Sequence, residues 1–254
     1  MSIGRVLNTA FGAIFGNLYA MLGIAFLFSG LPRGLVAYFQ QSALPSLGNG
    51  QSSPGTFVWI VVAGTLVTML FTVIAQGALI GATMAASRGE KAGYGECLAT
   101  GFQRMLSLIG LTLVSGVAFV FAAILFIVPA IILTTIWYVA APLVVAERSG
   151  VFAALGRSAE LTKGERWSVF VVLLIMLGFF LLVFMLTSVV SGIGIAVGAR
   201  NGDFTGLALL TAVAAAISTT LQTVLATAIS TAVYIELREL KEGPETQGLD
   251  AVFA

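Results

Sequence analysis

The sequence predicts an all-α, polytopic membrane protein: six transmembrane helices accompanied by three cytoplasmic interfacial amphipathic helices in a threefold repeat. Three observations carry this expectation. Of 254 residues, 59% are hydrophobic and 9% charged, with a mean hydropathy of +1.05, whereas a soluble domain carries roughly 25% charged residues. Six stretches meet the roughly 20 mostly apolar residues needed to cross a hydrocarbon core of about 30 Å. The same helical spacing of apolar residues also recurs ahead of the first, third and fifth of them.

The stretches cover residues 18–37, 56–86, 105–128, 130–146, 167–199 and 204–237, within one transmembrane domain spanning 1–242 and followed by a short cytoplasmic tail, 243–254. Residues 105–146 carry no charge, and as one helix at about 1.5 Å per residue they would be about twice the bilayer thickness. They read as a hairpin broken at Pro129, because proline removes a backbone donor and disfavours helix at the residue before it. The fifth and sixth stretches are long enough to tilt strongly or to project beyond the membrane. Residues 40–55, rich in Ser, Gly, Pro and Gln, read as a flexible surface loop. No small-x-small cleavage site follows the first apolar run, where Ser29-Gly30-Leu31-Pro32-Arg33 stands, so the start reads as mature protein and not as a signal peptide.

Six spans place both termini on one side. That side holds Arg5, Arg88, Lys91, Arg104, Arg148, Arg157, Lys163, Arg166, Arg238 and Lys241, and the other only Arg33 and Arg200. The bias places both termini in the cytoplasm. Fusing the third and fourth spans would move Arg148, Arg157, Lys163 and Arg166 to the wrong side, which supports the hairpin.

Before the first span, Ile3, Val6, Leu7, Ala10, Phe11 and Ile14 follow the i, i+3, i+4, i+7 spacing of one helical face. Before the third, Tyr94, Cys97, Leu98, Gly101, Phe102 and Met105 repeat it at an offset of 91, with Gly4/Gly95, Leu7/Leu98, Thr9/Thr100 and Phe11/Phe102 identical. Val151, Ala154, Leu155, Ser158 and Ala159 repeat it more weakly before the fifth. The implied unit is an interfacial helix followed by a transmembrane hairpin, used three times. The polar faces of these helices are mild, as expected of elbows that brace a bundle. Gly16 and Gly164 fall where such a helix turns into the bilayer, and Cys97 falls on a buried helical face.

The chemistry is bounded as firmly. A net charge of +1 offers no basic excess for nucleic acid. With no histidine and one cysteine, a His general base, a His or multi-Cys metal site and an internal disulfide are all absent. No catalytic residue, metal or cofactor is expected. All charges fall at or beyond span ends on this reading, which argues against an acidic proton relay and a voltage sensor. The strongest polar groups left at depth are Gln76 and Gln222, the latter among Ser218, Thr219, Thr220, Thr223, Thr227, Ser230 and Thr231. Hydroxyls of this kind bond their own helix and assist packing; the sharper reading is a polar path. Gly77/Gly81 and Gly194/Gly198 are GxxxG pairs that permit close helix approach. Arg148, Arg157, Lys163 and Arg166, set against Glu147, Glu160 and Glu165, form either an interfacial salt-bridge network anchored by Trp167 or a contact for an anionic lipid headgroup or a protein partner.

Pro129-Ala130-Ile131-Ile132, Ala141-Pro142-Leu143-Val144-Val145-Ala146-Glu147, Ala153-Ala154-Leu155-Gly156-Arg157-Ser158-Ala159-Glu160-Leu161-Thr162-Lys163-Gly164, Trp167 and the closing Tyr234-Ile235-Glu236-Leu237-Arg238-Glu239-Leu240-Lys241-Glu242-Gly243 resemble a family of bacterial integral membrane proteins. It is the family named after the membrane domain of glycerophosphoryl diester phosphodiesterases. The resemblance implies a stand-alone membrane part without the phosphodiesterase activity, which belongs to a soluble barrel with His and acidic metal ligands.

Function then reads as a non-enzymatic scaffold or accessory subunit whose partners are membrane lipids and other membrane protein subunits or a second copy of itself. The alternative is a lipid or small-solute transporter, motivated by the repeats and the polar sixth span. A third reading, an enzyme acting on lipid headgroups, has only Glu147 and Glu160 to offer.

Overall fold

The structure is a computed structural model that describes residues 1–48, 53–90, 93–125, 127–201 and 205–243. Lys91, Phe204, loop residues 49–52 and tail residues 244–254 lie outside them, as does the side chain of Arg200. Six helical segments are long and apolar enough to cross a membrane, and the chain is an all-α, multi-pass membrane protein.

The N-terminal amphipathic segment is helix α1 (Ile3–Gly16), which buries Val6, Ala10, Ala13 and Ile14. It stops at Asn17, whose φ of −130° and ψ of 38° leave the helical region, one residue after Gly16. The first span is α2 (Leu18–Ala25), a π-turn over Phe26–Gly30, and α3 (Leu31–Gly48). Helix therefore covers residues 40–48 where sequence reading placed a loop. The candidate span extends to Ala43 and includes Arg33, so one basic side chain lies inside a span and not beyond its end. α4 (Pro54–Ser87) starts on Ser53, whose side chain accepts the Thr56 N–H at 3.3 Å, with proline in the first turn where a missing donor costs nothing. It ends at Gly89, whose φ of +77° lets Glu90 N–H reach back to the Ala85 carbonyl at 3.0 Å.

The second amphipathic segment is not a separate interfacial helix. It is the start of α5 (Tyr94–Leu125), whose 32 residues run about 48 Å without interruption. The hairpin break lies before α6 (Ile127–Ile136) and not at Pro129, which is the third residue of that helix. A proline in a first turn starts a helix more readily than it ends the preceding one. The fourth span is itself divided, because residues 137–139 separate α6 from α7 (Ala140–Ala146), again with a proline, Pro142, in the new first turn. The third amphipathic segment is α8 (Val151–Thr162), burying Ala154, Leu155, Ser158, Leu161 and Thr162. α9 (Arg166–Asn201) and α10 (Thr205–Glu242), with 36 and 38 residues, exceed a bilayer crossing. α10 carries the closing Tyr234 to Glu242 motif in its last turns.

Around the bundle, α3 packs on α10, α10 on α9, α9 on α6, α6 on α5, α5 on α4 and α4 on α3, with α4 also touching α10. Small residues set the closest approaches. A Cβ on Gly101 of α5 would lie 2.6 Å from the Ile74 carbonyl of α4, and one on Gly77 would lie 2.9 Å from the Gly101 Cα. The Gly77/Gly81 pair thus serves packing within the chain. A Cβ on Gly34, not singled out from sequence, would lie 2.9 Å from the Ala212 carbonyl of α10.

Candidate functional site

Nearly all charged side chains that pair with one another do so at the end of the bundle where α1, α8 and the last turns of α10 gather, and this end also holds the N-terminus. α10 enters it with Tyr234 and Leu237 buried. The Tyr234 hydroxyl donates to Glu147 Oε1 at 3.2 Å. Arg157, on the opposing face of α8, reaches Glu147 at 3.8 Å, Glu160 at 3.5 Å and Glu242, while Arg238 Nε reaches Glu242 at 3.1 Å. Lys241 Nζ donates to the Glu160 carbonyl. One arginine thereby ties together the ends of α7, α8 and α10.

A second knot holds α1. Its N-cap Ser2 makes no side-chain cap; the carboxylate of Glu236, 6% exposed, accepts the Ser2 N–H at 3.1 Å and pairs with Arg5 at 3.2 Å. A carboxylate at a helix N-terminus is favoured by the orphan donors and the dipole there. The Met1 ammonium pairs with Glu165 at 3.0 Å, and Ser168 Oγ donates to the same carboxylate at 2.8 Å. Those two hydrogen bonds, the ammonium's first, hold the Glu165 carboxyl below its ordinary value.

Between α1, the end of α4 and the end of α10 lies a cavity of about 470 Å³ lined by Arg5, Arg88, Arg238, Glu236, Glu239 and Thr9 among others. Its walls mix both signs. Sequence reading did not assemble it, although Arg88 directly after the last helical residue of α4 was the available signal.

The four basic residues proposed from sequence do not converge. Arg157 is committed to carboxylates, whereas Arg148, Lys163 and Arg166 are exposed, form no ion pair among the described residues, and do not line that cavity. Glu147 and Glu160 share Arg157, so each carboxylate is already taken up by a cationic partner. Among the described residues no group of three or more His, Cys, Asp or Glu side chains is placed to hold a metal. Cys97 is 3% exposed, on the buried face expected for it.

At depth, the hydroxyls of α10 bond their own helix: Thr220 to the Ala216 carbonyl at 2.7 Å and Thr231 to Thr227 at 2.8 Å. Gln222 is half-buried and does not line the cavity between α1, α4 and α10. Gln76 does line one, of about 210 Å³, with Thr112, Ser115, Trp137 and Tyr138. The two glutamines are therefore not brought to one cavity. The aromatic pair at the break in the fourth span is a feature that sequence reading passed over, although two prolines thirteen positions apart, Pro129 and Pro142, flank it.

In comparisons with known proteins, no family profile matches the chain, and neither do curated proteins or solved structures. The resemblance noted above accordingly rests on its motifs alone.

Proposed function

We propose that the chain is a non-enzymatic protein of a bacterial inner membrane, with both termini in the cytoplasm, acting as a scaffold or accessory subunit that contacts lipid or neighbouring membrane subunits. It would be a member of the family it resembles, and its three amphipathic segments would be the remnants of a repeated unit. The observation that carries this reading is the distribution of exposed apolar side chains. Beyond Met176, no apolar side chain of α9 is buried among the described residues, and Leu177, Leu181, Leu182, Phe184, Met185 and Leu186 are all exposed. The second half of α5 is similar, with Val117, Phe119, Val120, Phe121 and Ile124 exposed. Such rows offer lateral contact within a membrane, while the paired charges at the other end hold a rigid platform and leave Arg148, Lys163 and Arg166 facing outward.

A photo-crosslinking amino acid at Phe184, introduced in the native membrane, tests this reading. A discrete crosslinked protein partner, absent when the probe sits at buried Val169, is the expected result. Crosslinks to lipid alone would reduce the role to a lipid-facing wall and remove the accessory-subunit reading.

A further inference from the structure

Non-helical backbone at membrane depth is tolerated where it is buried in protein or lines a cavity. At the break over residues 137–139, Val139 is buried while the half-buried Trp137 and Tyr138 line cavities. The Ile136 carbonyl, freed where α6 stops, accepts hydrogen bonds from Ser158 at 2.7 Å and Thr162 at 3.4 Å, both on α8. A second segment of chain thus holds the break in place. Gln76 reaches the same region from α4, eleven residues before that helix ends, about 16 Å into the span.

Two cavities meet there. The one of about 210 Å³ beside Gln76 and a second of about 390 Å³ share Thr112, Ser115, Trp137 and Tyr138, and the second continues between α5 and α6 to Phe119 and Leu133. The Thr112 and Ser115 hydroxyls are committed to their own helix, at 2.8 Å to Leu108 and 2.7 Å to Leu111. The Gln76 carboxamide, the Tyr138 hydroxyl and the Trp137 indole N–H form no hydrogen bond among the described residues. A carboxamide offers two donors and an acceptor, a phenol one donor, an indole one donor, and all three residues are half-buried, so these groups stay accessible to an occupant of the cavities. No Lys, Arg, Asp or Glu lines either cavity, so a charged occupant would have no counter-ion at this depth. The aromatic faces supply an apolar wall beside a polar handle.

We propose that the break in the fourth span is a binding site for a neutral, hydroxyl-bearing ligand, with Gln76 and Tyr138 hydrogen-bonding its hydroxyls and Trp137 packing against its carbon skeleton. That chemistry belongs equally to a free polyol and to the headgroup of an uncharged glycerolipid, whose chains would leave between α5 and α6 past Phe119. The site does not depend on the scaffold reading, since of the two exposed apolar rows only Phe119 lines it and none of its polar groups belongs to either row.

The test uses the full chain in phosphatidylcholine nanodiscs with Trp59→Phe and Trp167→Phe, leaving Trp137 as the reporter. Dioleoylglycerol in the disc, or glycerol in the buffer, is titrated against Trp137 emission. A saturable change with dioleoylglycerol assigns the lipid source, and one with glycerol alone assigns the free polyol. In either case Tyr138→Phe, which keeps the ring and its volume, weakens the apparent affinity about 3- to 10-fold, as does Gln76→Leu where that variant folds. Absence of a saturable response to both probes, or an affinity unchanged in Tyr138→Phe, overturns the proposal.

Discussion

The two ends of the bundle are built on different terms. At the charged end, Leu79, Ile80, Leu143, Leu161, Tyr234 and Leu237 are all buried, and ion pairs join α1 and α8 to α10. Toward the opposite end, α5 and α9 present most of their large side chains outward. Hydropathy does not separate the two regions, because α9 is among the most apolar segments of the chain and is also among the least covered. Apolar sequence in a membrane protein marks what can face lipid as much as what can form a core, since lipid chains are as apolar as leucine. The difference lies in what covers the side chain.

That difference can be broken by substitution, and the largest expected effect is at Leu79. Leu79→Ala, at a side chain with no exposed surface, should lower unfolding free energy in detergent by about 2–5 kcal/mol, whereas Leu182→Ala, at a side chain 56% exposed, should change it by less than about 0.5 kcal/mol. Equal losses at the two positions would remove the contrast. Glycine provides an independent pair. Gly101→Leu forces a side chain against the α4 backbone and should cost about 1–3 kcal/mol, while Gly192→Leu, with open space around it, should leave thermal unfolding unchanged or raise it slightly through helix propensity.

Glu236→Ala sharpens the comparison from the polar side. It leaves the Ser2 N–H and Arg5 without their carboxylate, a loss of about 1–3 kcal/mol, read as faster amide exchange confined to α1. Glu236→Gln keeps an acceptor for Ser2 and should restore part of the protection. The smallest effect is the pH response of Glu165. Its carboxyl is held below its ordinary value by the N-terminal ammonium and Ser168, so its contribution is present above the ordinary carboxylate value and is lost as pH falls through the lowered one. Because this side chain is 32% exposed, solvent and salt screen the effect. Amide exchange at the start of α1 should quicken on acidification below about pH 4, and Glu165→Gln should abolish that response.

Much of this organisation was legible in the residues themselves. The six apolar runs, the placement of α1 and α8 by their spacing, the burial of Cys97 and the own-helix bonding of Thr220 and Thr231 follow from periodicity and from hydroxyl chemistry that acts within four residues. Pro129 and Pro142 were visible as well, but a proline is compatible with the end of one helix and the first turn of the next, and only the neighbouring chain chooses. The continuity of α5 was similarly hidden, since an amphipathic turn and a transmembrane turn share one backbone geometry and nothing between Leu98 and Met105 interrupts it.

By itself, then, the sequence determined an all-α bundle of six membrane-spanning segments and left no histidine and a single cysteine for chemistry, because composition and short-range periodicity act without reference to partners. Tertiary structure alone decided which polar groups meet. Ser2 and Glu236, 234 residues apart, share a hydrogen bond; Arg157 is spent on three carboxylates while Lys163 is not; and Gln76 faces Trp137 and Tyr138 across a cavity that Gln222 does not line. Such pairings depend on which helices adjoin and at what rotation, and no local feature of either partner encodes the other.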